Sequence, residues 1–366
     1  MTRKEFVRIC GILGIGFPLT SSFTSCSDSN VLPPTFEGNV IIIGAGAGGL
    51  SSGYLLQQQG IAFEILEASS SYGGRMKIDR DFADFPIPLG AEWLETGAGI
   101  FQEIVNDPSV AVNINTFPDD PDLKFVNSSW FNFYETYVVP SVSDQIRYNT
   151  IVQSIDYSGD QIIVNTQQGQ KRADKVIISI PLKMLQLGKI TFLPPLPADK
   201  QEAIQTAPIW DGFKAFFEFS QNFYGDEEQV VSDNRDGQKL YYNAALGQNT
   251  HKNILGLFTV GKPARDFINL SENDLKGFIL QELDSLYNNL ATPHYIRHIS
   301  QNWNNEAFIQ GGYLSDFAEW RKVRELGNPV RDKLYFAGGA YTDGEDWVSV
   351  HTAAQSAKRA VEGILN

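Results

Sequence analysis

The strongest constraint in this sequence is a glycine-rich turn that follows directly on an apolar run. Residues 39–43 read Asn-Val-Ile-Ile-Ile, which predicts a buried strand of a parallel sheet. The turn Gly44–Gly49 follows, and a helical pattern comes after it. Residues 62–66 predict a second strand that ends at the acidic Glu67. This order of strand, turn, helix and strand is the dinucleotide-binding fingerprint in its proper context.

Each glycine of the fingerprint has a physical reason. Gly44 permits the tight turn, Gly46 lets the backbone approach a pyrophosphate, and Gly49 lets the helix pack on the strand. Glu67 is placed to bond a ribose hydroxyl, and its charge disfavours a 2′-phosphate. FAD or NAD is therefore expected rather than NADP. The alternative is a glycine turn that binds nothing.

A second pattern overlaps the same turn. Residues 49–53 match the nucleophile elbow G-x-S-x-G, in which the serine lies on the turn between strand and helix. Ser51 instead falls after the turn, inside the predicted helix. A serine nucleophile is therefore not expected here.

Composition and charge exclude other classes. The 366 residues include 43 acidic and 29 basic side chains, a net charge of −14, which disfavours nucleic acid because phosphate binding needs a basic surface. Both cysteines, Cys10 and Cys26, lie within the first 26 residues, so the remaining chain has no disulfide and no thiolate metal site. His294 and His298 lie in or beside a predicted strand, too far apart for one metal, and we expect no metal site.

The first thirty residues predict an export signal. Three basic residues among the first eight precede the apolar run 9–19, which is shorter than the roughly 18 residues of a membrane span. Residues 2–6 resemble a twin-arginine signal with lysine in the second basic place. We expect a signal peptide over 1–25 and a flexible tether over 26–38.

Cys26 suggests where the exported chain is held. The sequence Phe-Thr-Ser-Cys at 23–26 resembles a lipobox, in which Cys26 is lipidated and becomes the first mature residue. The expectation is a membrane-anchored lipoprotein facing the periplasm or the cell surface. The alternative is an ordinary signal peptide with an incidental cysteine.

Two motifs after Glu67 favour FAD over NAD. Residues 71–76 hold two glycines and an arginine, which can wrap a pyrophosphate, and residues 89–94 bring small residues where a backbone could meet a planar ring. In this order the motifs resemble the flavin-containing amine oxidase family, whose members include the monoamine oxidases. The resemblance implies these cofactor contacts: Gly74, Arg75, Gly90, Ala91, Glu92 and Trp93.

The C-terminal part resembles the second flavin motif of that family. A predicted strand enters a glycine turn at 333–340, and a helix follows over about 349–364, with its N-terminus toward the flavin. Gly339 and Ala340 stand where the family carries an acid. Residues 349–351 replace its glycine and aromatic, so the second wall of the substrate cage is expected to be missing. Further implied cofactor contacts are Val152, near the adenine, and Gly338, Gly339, Trp347 and Val348.

Three residues are the candidate catalytic set by the same resemblance. Lys214 matches the lysine held near flavin N5 through a water. Without the resemblance, the alternating strand pattern and the rarity of buried lysines favour a solvent-facing side chain. Trp303 and Tyr313 match residues that shape the pocket on the flavin face. Gly312 stands where monoamine oxidases carry the cysteine that tethers FAD, so non-covalent FAD is expected.

The implied architecture is a two-domain flavoprotein of the α/β class. A Rossmann-type FAD-binding domain, discontinuous in sequence, accompanies a second substrate domain of mixed sheet and helix (α+β). Residues 101–145 appear loop-rich and aromatic. The expected FAD-binding segments are 39–100, 146–195 and 331–366, and the expected substrate segments are 101–145 and 196–330.

The family resemblance implies an FAD-dependent amine oxidase. A hydride from the C–H bond of a neutral amine passes to flavin N5, the imine hydrolyses, and O₂ reoxidises the flavin to give peroxide. The protein contributes position and electrostatics. One alternative is a flavin desaturase or oxidase with a non-amine substrate, because the same signature serves several chemistries. Another is a non-catalytic, lipid-anchored binding protein that keeps the fold.

Overall fold

The structure, a computed structural model, describes residues 36–117, 120–344 and 348–366. The predicted signal peptide, the lipobox at Cys26 and the tether up to residue 35 lie outside these ranges, as does Trp347. None of the helices in the described ranges has the length and apolar character that crossing a membrane requires.

The strands are numbered in chain order. They are β1 Asn39–Ile43, β2 Ala62–Leu66, β3 Ile78–Asp79, β4 Ile87–Pro88, β5 Trp93–Leu94, β6 Ile114–Phe117, β7 Asp120–Phe125, β8 Ile146–Arg147, β9 Val152–Asp156, β10 Ile162–Thr166, β11 Gly169–Ala173, β12 Lys175–Ile178, β13 Thr191–Leu193, β14 Gly212–Phe219, β15 Gln229–Asn234, β16 Gly237–Asn243, β17 Asn253–Gly261, β18 Tyr295–Asn302 and β19 Leu334–Phe336.

The α-helices are numbered in the same way. They are α1 Ala47–Gln58, α2 Ile100–Val105, α3 Trp130–Tyr137, α4 Leu182–Gln186, α5 Ala198–Thr206, α6 Glu272–Leu286, α7 Ala291–His294, α8 Trp320–Gly327 and α9 Val350–Leu365. Short 3-10 turns join several of them.

A parallel sheet in the order β19-β12-β1-β2-β8 carries the fingerprint turn. β1 and β2 coincide with the predicted strands because both are short apolar runs that end at strong boundary residues. The strands come from well-separated parts of the chain, and α1 and α9 pack against the sheet in one core. The predicted α/β class with a Rossmann-type unit is confirmed.

A second, antiparallel sheet in the order β15-β16-β17-β14-β18 places Lys214. Its strand β14 is buried along almost its whole length. Phe213, Ala215 and Phe217 pack with helix α6 on one face. Phe216, on the alternate face, packs against the segment that contains Phe82 and Leu89. Lys214 shares the face of Phe216 because side chains alternate along a strand.

Residues 101–145 are more regular than expected. The segment forms α2, β6, β7 and α3 instead of a loop-rich region. Trp130, Phe133 and Tyr134 have the spacing of one helix face and are buried in the core that α1 and α9 also share. These aromatic side chains therefore cover the Rossmann-type unit.

Candidate active site

The fingerprint turn is as tight as its glycines allow. Gly44 has a φ of +102°, a conformation that favours glycine. A β-carbon at position 49 would lie 1.9 Å from the carbonyl oxygen of Gly44, so α1 could not approach β1 with any larger residue there. A β-carbon at Gly46 would meet nothing within 4 Å. The turn is therefore tightly packed at Gly49 and open to space at Gly46.

The open side faces the N-terminus of α1. Gly46 is the N-cap of this helix and has no side chain with which to cap the first amides. The Gly73 N–H donates to the carbonyl oxygen of Ala45 at 2.8 Å, and Gly74 approaches the Cα of Gly46, so the second glycine pair borders the same opening. Uncapped helix amides beside open space form a seat for a pyrophosphate.

Glu67 ends β2 and retains room for a ligand. Its Oε2 accepts the Ala45 N–H at 2.7 Å, and its Oε1 accepts the N–H and the hydroxyl of Ser69 at 2.8 and 2.7 Å. An ionised carboxylate offers about four acceptor positions, so one remains for a ribose hydroxyl. The Thr150 N–H donates to the carbonyl oxygen of Glu67, which brings the neighbouring Val152 toward this corner.

The C-terminal turn lies against the start of α1. A β-carbon at Gly48 would be 2.8 Å from the Gly338 nitrogen, and the Gly338 N–H donates to the Ser356 hydroxyl at 2.7 Å. A β-carbon at Gly339 would lie 3.0 Å from Val348. The residues predicted from both ends of the chain therefore meet around one opening. The uncapped amides, the open space and the remaining acceptor of the carboxylate all fit FAD.

A backbone strip joins this opening to the second sheet. The Ala91 N–H donates to the carbonyl oxygen of Arg75 at 2.9 Å, and a β-carbon at Gly90 would lie 1.8 Å from the same oxygen. The indole N–H of Trp303 donates to the carbonyl oxygen of Leu89 at 3.0 Å. Only glycine fits at position 90, so the strip presents backbone rather than side chains there.

Lys214 holds the far side of this strip. It is 3% exposed, and its Nζ donates to the carbonyl oxygens of Pro88 at 2.9 Å and Gly90 at 3.3 Å. It also donates to Glu92 Oε2 at 2.6 Å. The alternative of a solvent-facing lysine is excluded. Burial lowers the pKa of Lys214 from its ordinary value, and the charge of Glu92 acts in the opposite direction.

Glu92 belongs to a buried polar cluster. Its Oε2 also accepts the hydroxyl of Tyr242, and its Oε1 lies 3.7 Å from the Nζ of Lys124. Burial and the neighbouring carboxylate raise the pKa of Tyr242 well above its ordinary value, so the phenol is neutral. The rings of Trp93 and Tyr242 lie 5.1 and 5.9 Å from the Lys214 ammonium. The structure thus places the side chains of Glu92 and Trp93, both expected to contact the cofactor, around Lys214.

Aromatic rings form a wall beside the arginine. Arg75 donates to the carbonyl oxygen of Gly312 at 2.5 Å, which fixes the loop that carries Tyr313. The ring of Tyr313 meets that of Trp210 edge to face at 5.8 Å, and Trp210 meets the exposed Phe317 at 6.2 Å. The wall runs from the cofactor opening to the surface.

Sequence reasoning missed three members of this site. Lys124 and Tyr242 join Glu92 from separate strands, and nothing local in the sequence marks that meeting. Trp210 comes just before β14, and only its position next to this predicted strand could have indicated that it belongs to the site. His294 and His298 take separate partners, Ser220 and Tyr295. No group of metal-ligating side chains large enough to hold an ion occurs among the described residues.

Comparisons with known proteins agree with this geometry. Residues 42–107 match the family model described as an NAD(P)-binding Rossmann-like domain. Residues 135–365, more than half of the chain, match the family described as flavin containing amine oxidoreductase. The chain belongs to the flavin containing amine oxidoreductase family. FAD is its cofactor, and it is an FAD-dependent oxidoreductase of the amine oxidase type.

Relatives in this family differ in the share of each chain that the match covers. Polyamine oxidase 2 of Arabidopsis thaliana is 24% identical over 92% of this chain and 90% of that protein. Lysine-specific histone demethylase 1 homolog 1 of the same plant is 25% identical, but the match spans 60% of this chain and 27% of the demethylase. A solved putrescine oxidase with putrescine bound superposes with a TM-score of 0.71 at 14% identity, covering 90% of this chain and 99% of the oxidase. That likeness shows the shared amine oxidase fold.

Proposed function

We propose that this flavin containing amine oxidoreductase oxidises a small amine with non-covalent FAD and uses O₂ as the electron acceptor. The observation that carries the proposal is the aromatic wall of Tyr313 and Trp210, which starts at the loop bound by Arg75. Aromatic faces attract the cationic form of an amine and give apolar walls to its neutral form. The names of a polyamine oxidase and a putrescine oxidase among the similar proteins support an amine.

The residues present would divide the work in a simple way. Bound FAD supplies the two-electron acceptor. The amides of α1 and Arg75 would hold its phosphates, and Glu67 its ribose. Trp303 and Lys214 fix the strip around Gly90 from two sides. Tyr313 and Trp210 would orient the amine and exclude water from its reacting carbon.

Non-covalent binding rests on the sequence at one position. Gly312 offers no sulfur, and the chain has no cysteine after Cys26. A cysteinyl link to FAD therefore has no partner in the described part of the chain. Acid precipitation should release the cofactor into the supernatant.

The test is anaerobic bleaching of the flavin absorbance. Putrescine, longer polyamines and simple monoamines are compared with diols and alcohols of the same carbon skeletons. We expect at least one amine to bleach the flavin and the matched alcohols to leave it oxidised. With air admitted, peroxide should form in proportion to the amine consumed. Bleaching by alcohols but by none of the amines would contradict the amine assignment.

A second candidate is oxidation or desaturation of a non-amine substrate. The observation that favours it lies at the start of α9, where Ser349 contacts His351 Nδ1 at 2.6 Å in place of the family's glycine and aromatic. A polar pair there suits a substrate with its own hydrogen-bonding groups. Bleaching by hydroxy or carbonyl compounds in the same screen would select this candidate.

We also propose export and anchoring through Cys26, on the signal-like sequence alone. The test is metabolic labelling with a radioactive fatty acid in a bacterial host that processes lipoproteins. The natural chain should be labelled and sediment with membranes, and the Cys26→Ser variant should be unlabelled. Equal labelling of both would contradict the anchor.

A further inference from the structure

Three charged side chains are buried together behind the Gly90 strip. Lys214 is 3% exposed, Glu92 is 4% exposed and Lys124 is 7% exposed. They come from β14, from the segment before β5, and from β7. Two ammonium groups thus share one carboxylate in a place that water barely reaches. Such a group is costly to bury unless its charges are paired and its donors are used.

All three N–H donors of the Lys214 ammonium bond protein atoms. An ammonium has three N–H donors and no acceptor. The three acceptors are the carbonyl oxygens of Pro88 and Gly90 and the carboxylate of Glu92. The contact with Gly90 is the longest of the three, at 3.3 Å. Lys214 can therefore donate to a water only by giving up one of these bonds, and the bond to Gly90 is the weakest.

Glu92 divides its two oxygens between the lysines. Oε2 takes the short bonds from Lys214 and Tyr242. Oε1 is buried without a hydrogen bond and lies 3.7 Å from the Lys124 Nζ. Lys124 itself donates to the carbonyl oxygens of Asn243 and Ala244. Glu92 is thus bonded to Lys214 and only electrostatically paired with Lys124.

We propose that Glu92 is a positioning residue for Lys214, keeping it protonated and seated on the carbonyls of Pro88 and Gly90. Without the carboxylate, two buried ammonium groups would face each other with no anion between them. Lys214 would then release its proton more easily, and its nitrogen would become an acceptor. A neutral amine has two N–H donors instead of three, so the long bond to Gly90 would have to compete with the bonds to Pro88 and to residue 92, and the strip beside FAD would loosen.

Few titratable groups face Lys214, so its protonation can be followed separately from theirs. The titratable neighbours are Glu92, Tyr242 and Lys124, and Glu228 acts on the last two. Tyr242 stays neutral because its pKa is raised. The remaining contacts are rings, among them Trp93 and Phe216, each 5.1 Å from Nζ. Lys214 and Lys124 are therefore the groups whose protons should respond to Glu92, and the variants that lack Lys214 separate the two.

The experiment follows the visible spectrum and midpoint potential of bound FAD in the full-length holoenzyme from about pH 6 to about pH 10, where buried lysines titrate. The variants are Glu92→Gln, Glu92→Asp, Lys214→Met and the double variant Glu92→Gln/Lys214→Met. Glu64→Gln is the matched control, because it removes the same charge from an ion pair with the exposed Arg147. No substrate is added, so the outcome does not depend on the amine proposal.

In Glu92→Gln we expect the spectrum and midpoint potential of bound FAD to change slope at one pH, the titration break of Lys214. This break should lie at least about one pH unit below any such break in the natural enzyme. Neither variant that lacks Lys214 should show this break. Glu92→Asp keeps the charge, so its break should lie closer to that of the natural enzyme. Glu64→Gln should leave the break where the natural enzyme has it. A Glu92→Gln profile that matches the natural enzyme, or a break that persists without Lys214, would overturn the proposal.

A second variant keeps the proposal falsifiable if Glu92→Gln does not fold. Lys124→Met removes the competing cation, and the charge of Lys124 lowers proton affinity at this site. The break in the natural enzyme should then move to higher pH, or leave the measured range upward. Movement to lower pH would overturn the proposal.

Discussion

Gly90 lies so close to Arg75 that a β-carbon at position 90 would be 1.8 Å from the Arg75 carbonyl oxygen and 2.9 Å from the ring of Trp303. The first contact is with backbone, which cannot move aside as a flexible side chain would. The cofactor strip therefore depends on the absence of a single methyl group.

The Gly90→Ala variant should lose both stability and FAD. Overpacking at this point should lower the free energy of unfolding by about 1–3 kcal/mol. FAD affinity should fall because the strip is pushed out of place. Gly97→Ala is the control, since a β-carbon there meets nothing within 4 Å. Urea titration and FAD titration check both; equal behaviour of the two variants would contradict the packing described.

Gly46 and Gly49 should separate cofactor binding from folding. Gly46→Ala adds a methyl group to open space, so the free energy of unfolding of the apoprotein should fall by no more than about 1 kcal/mol, the usual cost of alanine at an N-cap. FAD affinity should fall by about tenfold or more, because the methyl group occupies the approach to the pyrophosphate.

Gly49→Ala should have the opposite signature. Its β-carbon would lie 1.9 Å from the Gly44 carbonyl oxygen, so the fold itself should be destabilised. Thermal melts of the two apoproteins, with and without FAD, compare them. If Gly46→Ala destabilised the apoprotein as much as Gly49→Ala, the space before Gly46 would not be a ligand site.

Lys200 should make stability depend on pH. It is buried and donates to the carbonyl oxygens of Glu325 and Leu326 at the end of α8, and burial lowers its pKa to about 7. Between that value and the ordinary lysine pKa of 10.5, the unfolded chain binds more protons than the folded one. The contribution of Lys200 to stability should therefore rise with pH across this window and stay constant below it.

Lys200→Met tests this contribution. The difference in urea midpoint between the natural chain and this variant should shift in favour of the natural chain as pH rises from about 7 to about 10. The comparison cancels the repulsion among the many acidic groups, which both chains share. A difference that stays the same at every pH would contradict the lowered pKa.

Tyr313 should matter through its ring. In Tyr313→Leu, kcat/KM for the best amine should fall by about tenfold, the upper range of a cation–ring contact plus lost packing. Tyr313→Phe should keep most of the activity, and both variants should bind FAD as the natural chain does. If Phe cost as much as Leu, the hydroxyl would be the important group and the aromatic wall would not explain the site.

The sequence predicted the local structure that frames the candidate site. β1, the glycine turn and β2 were placed correctly because apolar runs and glycines fix them within a few residues. The buried state of Lys214 needed more, since alternation along β14 leaves its face open until the segment around Leu89 covers it. The family resemblance predicted that Lys214 faces the interior, and Lys214 is buried in the structure.

What could not be predicted depends on contacts between distant strands. Glu92 meets Lys124 and Tyr242 only because β5, β7 and β16 come together in space. The helix at Trp130–Tyr137 replaces part of the loop-rich region expected over 101–145, although the spacing of its aromatic side chains fits one helix face. The roles of all these residues toward FAD and substrate remain predictions.

The measurement that tests the account most directly is the visible absorption spectrum of the purified full-length chain, followed by that of its supernatant after acid precipitation. We expect a yellow protein with flavin absorbance, and a supernatant that carries all of the colour as FAD. A colourless protein that takes up no added FAD would contradict the assigned cofactor and the site built around Gly46, Glu67 and Gly90.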